Sequence, residues 1–295
     1  MKIKESRGDR IFYGFVFFMI CFLSMCCIYP LWLVIVNSIS DPLEVARGRV
    51  WLLPKGFGLD AYKEAFKDTR ILGGYWQTIL QTIVGTAVNM ALTIPAAYGL
   101  SKKGFPGRSI FMTMIIITMY FGGGLIPSYI NVSNLGLLNN WWVLPLIGAV
   151  ASYNLIIART FFSSGVPREL EESAEIDGCS IPGTFFKIVL PLSKAMLGVI
   201  MLYYVVGHWN NFAACMYYTP GKKEYWTLQM VLRQMLQEVT NAAAQENQEA
   251  MDYYAKLVDQ IKYSVVVIAS VPVLILYPFL QKYFDKGVML GSLKG

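Results

Sequence analysis

Long apolar runs alternate with more polar segments along most of the 295-residue chain. A helix needs roughly 20 apolar residues to cross a bilayer hydrocarbon core about 30 Å thick. Six runs are about that long, so the pattern predicts an all-α membrane protein with six transmembrane helices. The runs are 11–36, 76–100, 109–130, 142–162, 188–213 and 262–284.

The first run begins as a secretory signal begins, because several basic residues precede it. The apolar part of a cleaved signal is only about 7–15 residues long and ends in small residues. Here the apolar stretch continues through Tyr29, Pro30 and Trp32 to Val36. We therefore expect a retained transmembrane helix rather than a cleaved signal.

Glycine and proline fall inside two of the runs. Gly122, Gly123, Gly124 and Pro127 lie within the third run, and Pro95 lies within the second. In transmembrane helices such residues allow close packing or local unwinding. We expect an interruption of the helix at both places.

Two of the segments expected outside the membrane also have helical patterns. Within the segment 37–75, apolar residues at helical spacing over 59–66 predict a short surface helix capped by Asp60. Within the insertion 214–261, the spacing of apolar residues from Leu228 to Val239 predicts an amphipathic helix. Each helix either contacts an external protein or only covers the chain's own surface.

Composition supports a membrane protein, since 55% of the residues are hydrophobic and 15% are charged. Lysine and arginine favour the cytoplasmic side of membrane proteins, and their distribution here fits a topology with both termini in the cytoplasm. The net charge of +6 therefore reflects topology, and nucleic acid is not an expected partner. The basic residues of the expected cytoplasmic segments are Lys2, Lys4, Arg7, Arg10, Lys102, Lys103, Arg108, Arg159, Arg168, Lys187, Lys282, Lys286 and Lys294.

The chain has five cysteines and one histidine. A disulfide framework or a zinc site needs clustered, water-accessible ligands at defined spacing. The cysteines lack that spacing, so we expect free thiols and no metal site. Four of them lie in apolar stretches, namely Cys21, Cys26, Cys27 and Cys215. The fifth, Cys179, lies in the polar segment 164–191.

The segment 164–191, called the elbow below, carries the most specific local chemistry. Pro167 suits the first turn of a helix, and the glutamates after it place negative charge near the positive end of the helix dipole. Gly178 can adopt the left-handed conformation that ends a helix. Ser180 and Pro182 can begin a second one, so we expect two short helices that meet at Gly178.

The spacing of residues within the elbow is also specific. Glu172-Ser173-Ala174 is followed by Gly178 and, after nine further residues, by Ile188-Val189-Leu190-Pro191. This pattern resembles the EAA signature of the membrane subunits of ATP-binding-cassette (ABC) importers, with Ser173 in place of an alanine.

Two further features carry the same resemblance: the pair Trp209-Asn210 and the terminal segment 287–295. Over nearly its whole length the chain resembles the carbohydrate-importer permeases of the ABC superfamily. It is similar to the second maltose permease subunit and closer to oligosaccharide permeases of the LplC and YtcP type. The insertion 214–261 is longer than the maltose type suggests.

The resemblance implies a type I ABC importer permease fold with both termini cytoplasmic and an external helical insertion between helices five and six. Its parts are a cytoplasmic N-terminus, 1–10, a six-helix domain, 11–284, and a cytoplasmic tail, 285–295. The elbow would dock in an ATPase through Leu170, Glu172, Ser173, Ala174, Asp177, Gly178, Leu190 and Pro191. The tail would reach the ATPase interface through Gly291, Ser292, Leu293, Lys294 and Gly295.

The resemblance also implies the partners and the location. The partners are a second, non-identical permease, two ATPases, an extracytoplasmic solute-binding protein, a carbohydrate substrate and the lipid of a bacterial cytoplasmic membrane. The sequence contains no Gly-x-x-x-x-Gly-Lys-Ser/Thr phosphate loop. We therefore expect a non-catalytic subunit without a cofactor of its own, while the partner ATPases bind ATP and Mg.

Polar and aromatic residues within the runs are candidates for the substrate path, because such groups are costly in a membrane unless they face protein or water. Aromatic faces and amide groups are also suited to binding sugars. An interfacial belt of Trp and Tyr is the alternative explanation. The candidates are Tyr120, Tyr203, Tyr204, His208, Trp209, Asn210 and Asn211, with Asn89 in addition.

Other classes of membrane protein fit less well. An ion-coupled secondary transporter would need acidic residues near the membrane midplane or paired broken helices, and no Asp or Glu lies inside the six runs. A membrane enzyme would need a cluster of acids or metal ligands, and the one dense acidic cluster belongs to the elbow. A membrane scaffold without an ATPase partner would leave the motif spacing unexplained.

Overall fold

The computed structural model describes residues 7–243, 260–275 and 278. Regular structure in these residues is helical, apart from one isolated bridge between Ser40 and Phe57. The all-α prediction is therefore confirmed for this part of the chain. The helices are α1 Arg7–Ser38, α2 Pro42–Ala46, α3 Asp60–Lys67, α4 Thr69–Ser101, α5 Arg108–Tyr120, α6 Leu125–Asn134, α7 Val143–Leu146, α8 Ser152–Ser164, α9 Arg168–Ile176, α10 Ile181–Thr184, α11 Leu190–Leu192, α12 Lys194–Trp209, α13 Ala213–Tyr218, α14 Leu228–Ala243 and α15 Gln260–Ile275, with a π-turn at Phe185–Val189 and a 3₁₀ turn at Lys223–Tyr225.

One compact unit combines Met1–Thr69 with Arg233–Val271. Its helix α1 exposes apolar side chains along its length, as a helix surrounded by lipid does. Just beyond the end of α1, the Gln260 amide donates to the Ser40 carbonyl at 2.7 Å. This bond fixes the first turn of α15 to the chain that leaves α1.

Helix α3 in the same unit confirms the predicted surface helix. Ala61 and Ala65 form its buried face. Asp60 does not cap the helix, because it is already the first helical residue, and its carboxylate pairs with Lys63 at 3.1 Å. The predicted cap at Asp60 is therefore wrong.

The second unit combines Arg70–Leu232 with Pro272–Gly295. Its apolar core lies where α4, α8, the π-turn and α12 pack together. The core residues are Ile94, Ala97, Tyr98, Leu100, Leu155, Ala158, Phe162, Val166, Phe185, Val189, Met196, Ile200 and Tyr204.

The third predicted run, 109–130, is not a single helix. It divides into α5 and α6, which are bent by 119° at the glycine-rich break. Gly124 has φ +84° and ψ 176°, a conformation that is essentially restricted to glycine. The predicted interruption is confirmed here.

The fourth and fifth runs are also broken. The residues 147–151 separate α7 from α8, and Gly148 within them has φ +69°. In the fifth run the chain bends by 83° at Ser193, so the long helix begins only at α12.

The second run departs from its prediction in the opposite direction. Helix α4 begins seven residues before position 76, at Thr69, and continues through Pro95 to Ser101. Proline removes one N–H donor, and neighbouring segments of a membrane protein can satisfy the carbonyl that it frees. The expected interruption at Pro95 is therefore wrong.

Two of the described helices, α1 and α4, are long and apolar enough to cross a membrane. The number rises to four when each bent pair is taken as one span, and α15 is a shorter apolar helix. Six spans and cytoplasmic termini stay predictions.

Candidate functional site

The first arm of the elbow is helix α9. It begins after Pro167, and Glu169 and Glu171 lie in its first turn, where the helix dipole favours negative charge. Gly178 has φ +77°. Its N–H donates to the Glu175 carbonyl at 3.0 Å, and the next N–H donates to the Ala174 carbonyl at 2.8 Å. These two bonds form a Schellman motif, which confirms the predicted helix end at this glycine.

The second arm begins two residues later. Ser180 caps α10, since its hydroxyl oxygen accepts from the Gly183 N–H at 3.3 Å. The π-turn and α11 follow, with Leu190 and Pro191 inside α11. Pro191 lies near the start of the fifth predicted run, 188–213, but the bend at Ser193 separates it from α12.

The tip of the elbow is apolar and open to contact. Ile176 and Ile181, at the ends of the two arms, are 86% and 77% exposed, and Leu170 is exposed as well. Ala174 is buried by its own chain. The Ser173 hydroxyl donates to the Glu169 carbonyl at 2.7 Å, so its hydrogen bond lies within α9.

A charged cluster lies beside the first arm. Lys102 follows the last residue of α4 and forms an ion pair with Glu171 of α9. Burial lowers the pKa of Lys102 from its usual value, and the positive charge of Arg168 lowers it further. A cleft of about 250 Å³ next to the pair is lined by both signs of charge, including Lys103, Glu172 and Glu175.

Three of the candidates for the substrate path, Asn89, Tyr204 and His208, belong to a ladder of hydrogen bonds between α4 and α12. The hydroxyls of Thr93 and Tyr204 are 2.7 Å apart. One helical turn away, His208 Nε2 donates to Asn89 Oδ1 at 2.6 Å. The His208 ring fills the space that a Cβ atom on Gly85 would need. We call this set of residues the polar ladder: Gly85, Asn89, Thr93, Tyr204 and His208.

The polar ladder also binds the break between α7 and α8. The Asn89 amide donates to the Ala149 carbonyl at 2.6 Å, and the Ala151 N–H donates to the Tyr204 hydroxyl oxygen at 3.2 Å. Backbone outside a helix is tolerated at membrane depth only where protein or water satisfies it. The ladder therefore stabilises the broken segment 147–151.

The remaining candidates point in other directions, because successive residues of a helix lie about 100° apart. Tyr203 is exposed and meets the Tyr153 ring edge-on at 6.2 Å. Trp209 is buried, and the Asn210 amide donates to the Val206 carbonyl at 3.0 Å. The described residues therefore do not bring the candidates to one surface.

The last two candidates, Tyr120 and Asn211, also lie outside α12. Tyr120 ends α5 and is exposed. Asn211 follows α12, and its Oδ1 accepts from the Ala214 N–H at 3.1 Å, so it holds the start of α13.

The start of the insertion contacts α4, which the sequence pattern does not predict. The Leu228 N–H donates to Thr78 Oγ1 at 2.8 Å, and a Cβ on Gly74 would lie 3.0 Å from Leu228 Cα. Gln81 donates to the Tyr225 carbonyl at 2.8 Å. The sequence signal for these contacts is the set of polar residues on one face of α4. The predicted amphipathic helix is confirmed as α14, and the first turn of its apolar face is buried against α4.

Some predicted features fall outside the described residues, namely residues 244–259 of the insertion and the tail residues Gly291 to Gly295. In the part that is described, no three His, Cys, Asp or Glu side chains lie together in a way that could hold a metal ion.

Two of the described helices are long and apolar enough to cross a membrane, and the exposed elbow carries the spacing that resembles the membrane subunits of ABC importers. Over residues 70–290 the chain matches the family described as binding-protein-dependent transport system inner membrane component, and it belongs to that family. The resemblance drawn from the EAA spacing is thereby confirmed.

Similar proteins include two from Bacillus subtilis (strain 168). Protein LplC is 42% identical over 268 residues, which cover 91% of this chain and 90% of LplC. The polygalacturonan/rhamnogalacturonan transport system permease protein YtcP is 39% identical over 294 residues, which cover 99% of this chain and 100% of YtcP.

A solved structure has the same fold. It is the crystal structure of a bacterial ABC transporter involved in the import of the acidic polysaccharide alginate, and one of its chains matches with a TM-score of 0.85 at 30% identity. The match covers 96% of this chain and 100% of that chain.

Proposed function

We propose that this chain is a permease subunit of an ATP-driven, binding-protein-dependent importer that moves a sugar or oligosaccharide into a bacterial cytoplasm. The observation that carries the proposal is the elbow, in which two short helices meet at Gly178 and leave apolar side chains exposed at their tips. Buried apolar anchors dominate the energetics of protein interfaces. Ile176 and Ile181 would be those anchors in an ATPase cleft.

The coupling residues have different parts in this proposal. Leu170 and Ile176 contact the ATPase, Glu172 and Asp177 face its basic rim, and Gly178 sets the angle between the arms. Ala174 and Ser173 stabilise α9 from within, in keeping with the burial of one and the hydrogen bond of the other. Leu190 and Pro191 connect the elbow to α12.

The elbow lies on the cytoplasmic side in this proposal. The ion pair between Lys102 and Glu171 brings α9 to the same end of the unit as the basic turn between α4 and α5. Lys103, Arg108 and Arg168 belong to the same region. Positive charge in short loops marks the cytoplasmic side. Both termini would then be cytoplasmic, with α1, α4, the two bent pairs, α7 with α8, and the segment containing α15 as the six spans.

The partners follow from the same mechanism. Two ATPases bind ATP and Mg and hydrolyse the nucleotide, this chain and a second, non-identical permease move together, and an extracytoplasmic binding protein delivers the sugar. The family description includes dependence on a binding protein. Helix α5 has no buried residue of its own, so its apolar surface is available to the second permease and to lipid. The tail, Gly291 to Gly295, would reach the ATPases.

The substrate class is suggested by the relatives. YtcP is named for polygalacturonan and rhamnogalacturonan, and the similar solved transporter for the acidic polysaccharide alginate. Oligosaccharides from polygalacturonan and from alginate are therefore the first probes to compare, with arabino-oligosaccharides as the neutral reference.

Exchange of Gly178 for valine tests the docking role of the elbow. A β-branched residue in the left-handed conformation costs about 1–2 kcal/mol, so Gly178→Val should open the Schellman turn and abolish retention of the ATPase on the purified permease. Gly136→Val is the matched control, because Gly136 has φ +68° and an equally open surrounding but lies between α6 and α7. Full ATPase retention by Gly178→Val would refute docking through the elbow.

A further inference from the structure

We propose that the ion pair between Lys102 and Glu171 is a positioning contact that makes the cytoplasmic end of α4 move with the elbow. The proposal rests on the function proposed above and names residues outside the EAA spacing that would carry the movement. It predicts that loss of the pair separates ATP hydrolysis from the movement of the membrane helices while the ATPase stays attached.

The pair joins two elements that the sequence separates by 69 residues. Lys102 directly follows α4, and Glu171 lies in the first half of α9. Their side chains are only 34% and 19% exposed. Partial burial excludes much of the water that weakens ion pairs at a surface, so the pair orients both side chains more firmly than an exposed one would.

An aromatic cluster lies beneath the same cation. Lys102 Nζ lies 4.1 Å from the centre of the Tyr98 ring, within the range of a cation–π contact. The Tyr98 ring in turn packs against Phe162 of α8 at 5.7 Å and Phe185 of the π-turn at 4.8 Å. Lys102 therefore lies where α4, α8, α9 and the π-turn meet.

The end of α4 is also fixed to its other neighbours. The Leu100 carbonyl, in the last turn, accepts hydrogen bonds from Arg108 Nε at 2.9 Å and from Arg159 Nε at 3.5 Å. Cations at a helix C-terminus complement the negative end of its dipole. A displacement that reaches Lys102 would therefore move α4 together with the start of α5 and with α8.

The charges around the pair make it sensitive to loss of either partner. Burial and the charge of Arg168 lower the pKa of Lys102, and the carboxylate of Glu171 is the opposite charge that pairs with it. Removal of one partner from a buried pair leaves an uncompensated charge and is more disruptive than replacement of both. An exchange of the two charges should restore the attraction.

The pair has a direct structural route to the membrane interior. Helix α4 runs without a break from Ser101, next to Lys102, to the polar ladder, where Thr93 and Asn89 contact α12 and the segment 147–151. Continuous helices and hydrogen-bond networks are physical carriers of coupling between sites. A movement of α9 that shifts the end of α4 would thus reach the ladder.

Four variants of the full transporter in lipid nanodiscs test the proposal. Lys102→Met and Glu171→Gln each remove one charge, and the double exchange Lys102→Glu with Glu171→Lys reverses both. Lys103→Met is the matched control, because Lys103 has no ion pair among the described residues. Two quantities are measured: the amount of ATPase that copurifies, and the stimulation of ATP hydrolysis by the binding protein, purified with the sugar that it carries from cells.

Each single variant should retain the ATPase, but the stimulation of ATP hydrolysis by the binding protein should fall about five- to tenfold. This is the lower range of coupling between distant sites. The double exchange should recover a large part of it, and Lys103→Met should resemble the parent. Unchanged stimulation in both single variants, or loss of the ATPase from them, would overturn the positioning role alone. Absence of any ATPase from the parent complex would overturn the proposed function.

Discussion

The elbow and the polar ladder belong to the same unit but use their polar groups in opposite ways. In the elbow, hydrogen bonds close short turns of backbone, and the apolar Ile176 and Ile181 are left exposed. In the ladder, polar side chains such as Asn89 are buried, and they join segments far apart in the chain. The elbow is thus suited to contact with another protein, whereas the ladder stabilises the break between α7 and α8.

This difference predicts how each region responds to substitution. Changes in the ladder should lower the free energy of unfolding of the permease, and changes at the tip of the elbow should lower only its affinity for a partner. The following predictions test that contrast by chemical denaturation of the purified complex in detergent, from the largest expected effect on stability to the smallest.

Gly85→Leu should have the largest effect. A side chain at this position would enter the space of the His208 ring and displace it from Asn89. Overpacking together with a lost buried hydrogen bond should lower the free energy of unfolding by about 3 kcal/mol. Gly99→Leu in the same helix is the control, since a Cβ there meets nothing within 4 Å. Equal stability of the two variants would contradict the close packing of the ladder.

Asn89→Leu should come second. The substitution keeps the approximate shape of the side chain but removes the bonds to His208 and to the Ala149 carbonyl. An unsatisfied buried carbonyl costs about 1–3 kcal/mol, so we expect a loss of about 2 kcal/mol. Asn210→Leu, at an exposed site, should cost less than about 0.5 kcal/mol. The reverse order of the two losses would show that the ladder does not support the break at 147–151.

Tyr204→Phe should have a smaller effect and also separates two explanations of this residue. Loss of its hydroxyl removes the partner of Thr93 and of the Ala151 N–H, which should cost about 1 kcal/mol. Tyr203→Phe, on the exposed side of α12, should be neutral. If Tyr204 instead contacts the sugar, its substitution should change the sugar concentration for half-maximal uptake and leave stability unchanged.

The contrast also explains what the sequence could predict. The end of α9 at Gly178 and the cap at Ser180 depend on partners within a few residues, so local residue preferences identify them. The ladder depends on contacts between Asn89 and His208, which are 119 residues apart. No local period encodes which residues of two helices will face each other. Composition therefore marked His208 and Tyr204 as unusual but did not indicate that they bind α4.

The breaks in the transmembrane runs also differ in whether local residues or distant contacts determine them. Gly124 needs a backbone conformation that belongs to glycine, so the bend between α5 and α6 is visible in the sequence. The break at 147–151 contains Gly148, but its stability depends on the amide of Asn89 and the hydroxyl of Tyr204. Pro95 illustrates the converse, because α4 continues through it.

Ile176→Ser should have the smallest effect on stability and so gives the sharpest form of the comparison. Its side chain is almost fully exposed, so the free energy of unfolding should change by less than about 0.5 kcal/mol. If the tip of the elbow enters an ATPase, the same change removes an apolar anchor and should weaken the complex about tenfold or more, as measured by titration of the ATPase onto immobilised permease. Leu135→Ser is the control, because Leu135 is an exposed apolar residue between α6 and α7. Equal ATPase affinity of both variants would mean that Ile176 is not an anchor, because replacement of a buried apolar anchor by serine should weaken a protein interface.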